Sequence, residues 1–257
     1  APLVPYVHHT ALPEPEDRKA TLWRYMSFAK FISLLSGGSS LFFPRLPNLG
    51  DEHEARITPG TVRHFQKKIE KAETEETRKQ IRSNLAKIIA LQEDFREMLY
   101  VSSWHQNDVE SYSMWQSYLE NSEGVALKST FERLTEAFGD AEEEVHIGRV
   151  QYKNLEEYEV DWTNALNYAR LKRREYRDER EVRAIVLRKE DLVDPGIHVD
   201  ADLDVLVESL VVSPDAEDWI LGLIKDIMSA HGLEASKVAA SELDSPPPIS
   251  SRSNCAL

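Results

Sequence analysis

The chain is 257 residues long, with 41% hydrophobic and 30% charged residues, enough for a folded core in one large domain or one domain with an insertion. Its formal charge of −14 argues against a surface built as a whole for DNA or RNA, while leaving room for a local basic patch at 63–87 or 170–174. A lone cysteine, Cys255, excludes an intrachain disulfide and a thiolate metal site, and no apolar run approaches the ~18 residues of a membrane span.

Residues 1–20 are rich in proline and charge and read as an extended arm. They show neither a basic start nor an apolar core typical of a secretory signal, so the cytosol is the expected compartment. Residues 21–242 read as one α+β catalytic domain with a mixed sheet, because strands and helices follow one another without strict alternation. Within it, Phe28 opens an amphipathic helix stopped at Gly37 and Gly38, and 41–43 is a short strand ended by Pro44. Residues 61–100 form an inserted helical hairpin, its apolar stripe interrupted over the charged stretch 70–79. Strands are expected at 101–104, 124–130, 145–152, 179–187 and 205–212 and near Val238. Helices are expected at 108–121, 131–138, 157–172 and 217–231. The stretch 243–257 is polar and Pro-rich and reads as a disordered tail.

Strand side chains alternate, so a strand over 179–187 would place Glu179, Glu181 and Arg183 in one row. The plain reading of such a row is a solvated edge. The chemical reading is that paired carboxylates supply an acid and a base, or a fork for a substrate guanidinium. Ser102, Ser103, Trp104, His105 and Asn107 form a second polar and aromatic cluster at a strand end, where reactive groups are commonly held. Ser111, Trp115 and Tyr118 share one helical stripe, either core or a stacking wall for a base or an aromatic substrate. There is no HExxH, no Gly-x-Gly-x-x-Gly and no P-loop, so neither a metal nor a nucleotide cofactor is expected from motifs.

Several of these residues carry a resemblance. Phe43-Pro-Arg45 with Asn48, Asp51 and Glu54, then Ser103-Trp104-His105, Asn107, Glu110-Ser111, Met114-Trp115, Tyr152 and the Glu179-x-Glu181-x-Arg183 block resemble the DUF2971 family over roughly residues 21–242. Within that likeness, 177–181 is similar to the Asp-Asp-x-x-Glu motif of fungal arginine-containing cyclodipeptide synthases, with Asp178 and Glu181 matching and Arg177 departing. This resemblance implies a transferase without a cofactor, taking arginyl-tRNA and a second charged tRNA to a diketopiperazine natural product. Asp178, Glu179 and Glu181 would be catalytic. Arg24, Ser103, Trp104, His105, Trp115, Tyr118 and Arg183 would bind substrate. The order Arg24, Ser102-Ser103, Glu179-x-Glu181 also resembles arginine-specific ADP-ribosyltransferases, which would use NAD. In that alternative Arg24 holds a phosphate and Glu181 stabilises an oxocarbenium-like centre. A non-catalytic binding module, gripping a partner with its aromatic helix, is the third possibility.

Overall fold

Leu22, Trp23, Tyr25 and Met26 are all buried. Thr21–Ser27, which the sequence left unassigned, therefore forms a strand covered on both faces, β1. The computed structural model describes residues 6–36, 38–51, 53–119 and 123–244. Helix α1, Phe28–Ser36, buries Phe31, Leu34 and Leu35, and β2, Ser40–Pro44, follows. The helical hairpin is α2, Pro59–Lys71, and α3, Glu75–Met98. Thr58 and Thr74 cap them, accepting from the N–H groups of Thr61 and Thr77. Helix α3 runs directly into β3, Leu99–Gln106.

Then come α4, Tyr112–Tyr118, β4, Gly124–Thr130, and α5, Phe131–Glu136. β5, Val145–Arg149, and β6, Gln151–Lys153, precede α6, Ala165–Ala169, and β7, Leu171–Arg173. The chain ends with β8, Glu181–Leu187, β9, Gly196–Asp200, α7, Leu203–Leu206, β10, Ser209–Val212, α8, Asp218–Ala230, and β11, Val238–Ala240.

The fold is α+β, with a seven-stranded mixed sheet in the order β11-β10-β4-β1-β3-β8-β5. Within it β10 and β11 run parallel and the other neighbours antiparallel. Two small pairs, β2 with β9 and β6 with β7, complete it. One buried cluster joins Phe31, Trp104, Leu134, Val182 and Ile224, and a second joins Leu12, Val101, Leu166, Tyr168 and Ile185.

Several elements differ from the sequence reading. Only Ala165–Ala169 is helical within 157–172. The Thr163 N–H bonds the Asp161 carboxylate at 3.0 Å and the Leu166 N–H bonds Asn164 Oδ1 at 2.9 Å, so side chains take up the backbone donors of the first part. The expected strand 145–152 divides at Val150, where the chain changes partners: the Arg149 N–H goes to Pro13, that of Val150 to Glu181 and that of Gln151 to Arg170. Asp202 caps the short α7, so the strand after it starts only at Ser209. The helix expected over 108–121 is confined to α4, and residues 120 and 121 lie outside the described residues. So do Gly37, the first five residues of the arm, and the tail from 245 onward with Cys255; Glu242–Asp244 forms a single 3-10 turn.

The described part of the arm is packed. Tyr6 bridges Val145, the Val7 N–H bonds the Val145 carbonyl at 3.0 Å, and Leu12 is buried. The arm thereby covers β5, which would otherwise be an open sheet edge. A Cβ on Gly148 would lie 2.7 Å from both the backbone and Cβ of Leu12. Gly148→Ala is expected to cost about 1–3 kcal/mol, read as a lower urea midpoint together with faster proteolysis within 7–13.

Candidate functional site

β1 pairs with β4 along all of Thr21–Ser27, but with β3 only at Leu22↔Gln106 and Trp23↔His105. Beyond Trp23 the two strands part, and the fork between them is a cavity of about 670 Å³. Arg24, Tyr25 and Met26 line one prong; Ser103, Trp104 and His105 line the other. Glu179 and Glu181 close the β8 side, with Tyr118 and Phe42 completing the wall.

Glu181 belongs to a buried ion network. Arg183 Nε donates to Glu181 Oε1 at 2.8 Å, and Arg183 Nη2 donates to Glu181 Oε2 at 3.0 Å and to Glu54 Oε2 at 2.9 Å. Its Nη1 donates to the Ala169 carbonyl at 2.7 Å. Lys172 Nζ reaches Glu54 at 3.0 Å, Glu179 at 2.5 Å and Glu181 at 3.3 Å. Three carboxylates (Glu54, Glu179, Glu181) meet two cations (Lys172, Arg183), leaving one negative charge in excess.

Burial alone would push the Glu181 carboxyl up, but Arg183 and Lys172 outweigh it and hold the group at about 2. Burial likewise works against the Lys172 and Arg183 charges, yet the carboxylates raise both above their ordinary values. Glu179 moves the other way. Loss of hydration, only partly countered by Lys172, raises its carboxyl, and its Oε1 has no protein partner among the described residues. Glu179 is thus the titratable carboxylate of the pair and Glu181 the permanent anion.

His105 Nδ1 lies 2.6 Å from the Glu179 carbonyl oxygen. A carbonyl only accepts, so Nδ1 carries the proton and Nε2 is left as an acceptor. Desolvation and the nearby Arg180 lower the His105 pKa below 6.5. The ring is therefore neutral at pH 7.

Arg24 has no carboxylate within ion-pair distance among the described residues. Its guanidinium donates to Ser102 Oγ and, at 3.1 Å, to the Phe42 carbonyl, and sits 5.8 Å from the Trp104 ring centre. Desolvation lowers it to about 10, still charged at neutral pH. The Trp104 indole N–H is buried without a protein acceptor among the described residues. Tyr118 is placed within electrostatic reach of Arg24 as well as of Glu179 and Glu181; lost hydration and the two carboxylates raise its phenol.

The structure brings Arg24, Ser103, Trp104, His105, Tyr118, Glu179 and Glu181 together around the cavity; of the other three candidates, Asp178 and Trp115 lie apart, and Arg183 holds Glu181 from outside the cavity lining. Asp178, expected to be catalytic, projects into solvent with its side chain 97% exposed, and its one ion-pair partner among the described residues is Arg177, at 3.9 Å. Arg183 lies under the cavity, fully engaged by protein groups. Trp115 is buried behind Tyr25, packed edge-to-face at 4.9 Å, with its N–H on Glu110. The expected single row of 179, 181 and 183 also needs correction. β8 begins at Glu181, Glu179 ends a 3-10 turn, and Arg180 between them adopts a left-handed conformation.

Sequence reasoning missed Lys172 and Glu54 as site residues. Lys172 stood in a run, 170–174, read as a candidate basic patch, but three of its four cations are spent on protein partners and only Arg174 projects into solvent. Arg170 bonds the Ala11 carbonyl and Arg173 forks onto Asp51 at 3.1 and 3.2 Å. Glu54 sits in a loop that α3 clamps. Gln92 Nε2 donates to the Ala55 carbonyl at 2.6 Å, and Arg96 Nε to the Glu54 carbonyl at 3.2 Å. Polar residues four apart on one buried helix face were the available signal.

No helix among the described residues is long and apolar enough to cross a membrane. No family model, curated protein or solved structure matches the chain.

Proposed function

We propose that the chain is a carboxylate-dependent transferase that joins the arginyl group of arginyl-tRNA to a second tRNA-borne aminoacyl group, closing them into an arginine-containing cyclodipeptide. The likeness to the DUF2971 family and to fungal synthases of this kind is part of the proposal. One observation carries it. A single cavity holds excess carboxylate charge at Glu179 and Glu181 and, on the opposite prong, a guanidinium, Arg24, with no carboxylate partner among the described residues.

Such a cavity suits a substrate that is cationic at one end and anionic at the other. The arginyl side chain supplies the cation, drawn by the one negative charge that Glu54, Glu179 and Glu181 hold in excess over Lys172 and Arg183. The internucleotide phosphate next to the charged 3′ adenosine of the tRNA supplies the anion for Arg24. Bond formation requires the α-amine of one aminoacyl group to attack the ester carbonyl of the other, losing a proton as the tRNA hydroxyl leaves. Glu181, held near 2, is too weak a base to take that proton. Glu179, raised and with one oxygen free, is the acceptor, and the neutral His105 serves the second, ring-closing attack. Charged tRNA places this chemistry in the cytosol.

Added to a translation-competent extract, the chain is expected to yield an arginine-containing diketopiperazine detectable by mass spectrometry, and ribonuclease to abolish it. No such product from active extract would refute the reading.

A second reading has its own support. Arg24 on β1, Ser102 and Ser103 on β3, and Glu179-x-Glu181 at the head of β8 occupy three adjacent strands, and Ser103 lines the same cavity as Arg24, Glu179 and Glu181. The arginine-specific ADP-ribosyltransferases use the same order of residue types. Release of nicotinamide from NAD by purified protein without RNA would favour this alternative. A binding module would produce neither outcome.

A further inference from the structure

A second cavity of about 620 Å³ lies against the first, sharing Glu181 as a wall. Its lining includes four cations, Arg149, Lys153, Arg177 and Arg180, against two carboxylates, Asp108 and Glu181. Glu181 is already neutralised by Arg183 and Lys172. Arg177 faces Asp178 at 3.9 Å. None of Arg149, Lys153 and Arg180 lies within ion-pair distance of a carboxylate among the described residues. In a chain of net charge −14, such a concentration of unpaired cations in one concave place opposes the overall field.

The backbone contributes a second, independent observation. Arg180 is left-handed, with φ 41° and ψ 48°, a conformation costing a non-glycine residue about 1–2 kcal/mol. This reversal sends neighbouring side chains in different directions. Glu179 lines the first cavity, Arg180 the second, and Glu181 borders both. The carbonyl of Arg180 accepts from the Gln106 N–H at 3.0 Å and its Nη1 donates to Asn107 Oδ1 at 3.2 Å, which ties the turn to the end of β3. The Glu181 N–H on the other flank donates to the Tyr152 hydroxyl at 2.8 Å.

We infer that the second cavity binds the phosphate backbone of the tRNA 3′ strand and directs its charged end across Glu181 into the first. The inference rests on the aminoacyl-tRNA reading and adds where the RNA lies. Unpaired cations in a groove track successive phosphates, and each contact releases counterions, so binding weakens with salt in proportion to the number of contacts.

The test is fluorescence anisotropy of a labelled, uncharged single-stranded RNA ending in CCA, titrated with the full chain between 50 and 200 mM salt. Combining Arg149→Ala, Lys153→Ala and Arg180→Gly is expected to reduce the slope of log affinity against log salt by about 2, at about 0.7 per lost phosphate contact. Arg180→Gly alone relieves the left-handed strain, so it should fold at least as well and still lose about 0.7 of slope. Lys67→Ala with Lys71→Ala, on the competing basic face of α2, should leave the slope unchanged.

An unchanged slope in the triple variant, a loss caused instead by the α2 pair, or no RNA binding by the unaltered chain would each overturn the inference. The two proposals fail differently. If RNA binds as described and no diketopiperazine forms, the chemistry is wrong and the RNA site stands. If the triple variant makes product with unaltered KM for charged tRNA, the RNA site is wrong and the chemistry stands.

Discussion

Arg183→Met is expected to destabilise the fold by about 3–5 kcal/mol, the largest loss from any single substitution at the site. Arg183 is 1% exposed and answers two buried carboxylates, Glu54 and Glu181, themselves 2% and 6% exposed. Methionine approximates its volume but leaves both anions with only Lys172 as a counter-ion. Breaking such a pair from one side costs far more than the pair contributes net, because the remaining charge keeps its desolvation penalty. Urea unfolding at pH 7 measures the change.

The same network sets a sign for acid. Glu181 titrates at about 2 in the fold against an ordinary 4.5. Its ionised form therefore contributes stability above pH 4.5, and that contribution is lost as pH falls from 4.5 toward 2. Glu179 is raised, so its protonation in the fold works in the opposite direction over the pH range above 4.5. In Arg183→Met the chief attraction holding Glu181 ionised is gone, and the acid-dependent part of the stability curve should flatten. An undiminished acid transition in the variant would show that another group governs it.

The largest effect on activity is expected from Glu179→Gln. If Glu179 accepts the proton of the attacking amine, turnover should fall by ~10²–10⁴-fold, followed as the rate of diketopiperazine formation. The side chain is one-third exposed and, among the described residues, hydrogen-bonds Lys172 alone, so the thermal midpoint should scarcely move. Glu181→Gln forms the contrast. It removes a fixed anion from Arg183 and Lys172, so activity and stability should decline together. A variant at 179 that retains full activity while folded would remove Glu179 from the chemistry and leave the network a structural device.

Much of the fold could be read from residue patterns, where local signals agree with the final environment. The hairpin is an example: threonine caps precede both helices, and loss of periodicity over 70–79 marks the break between them. Leu41–Phe43, Gly124–Thr130 and the helix of Asp218–Ala230 behave likewise. Reading failed where side chains compete with the backbone, as at Asp161 and Asn164, and where a strand changes partners, as at Val150. It also failed at Thr21–Ser27, whose hydrophobic residues fall on both faces and carry no simple alternation.

The site divides along the same line. By itself, the sequence determined that two carboxylates and an arginine stand two apart at 179, 181 and 183, and that Ser103, Trp104 and His105 end a strand, because such facts are local and depend only on spacing. Only the tertiary structure decided that β1 and β3 part to make a cavity, that Lys172 on β7 joins Arg183 in holding Glu181 ionised while Glu54 arrives from a distant loop to pair with both cations, and that Asp178 faces water. Charge interactions act through space over a few ångströms, without regard to chain separation. Which carboxylate is a fixed anion and which can carry a proton is settled by neighbours that packing alone supplies.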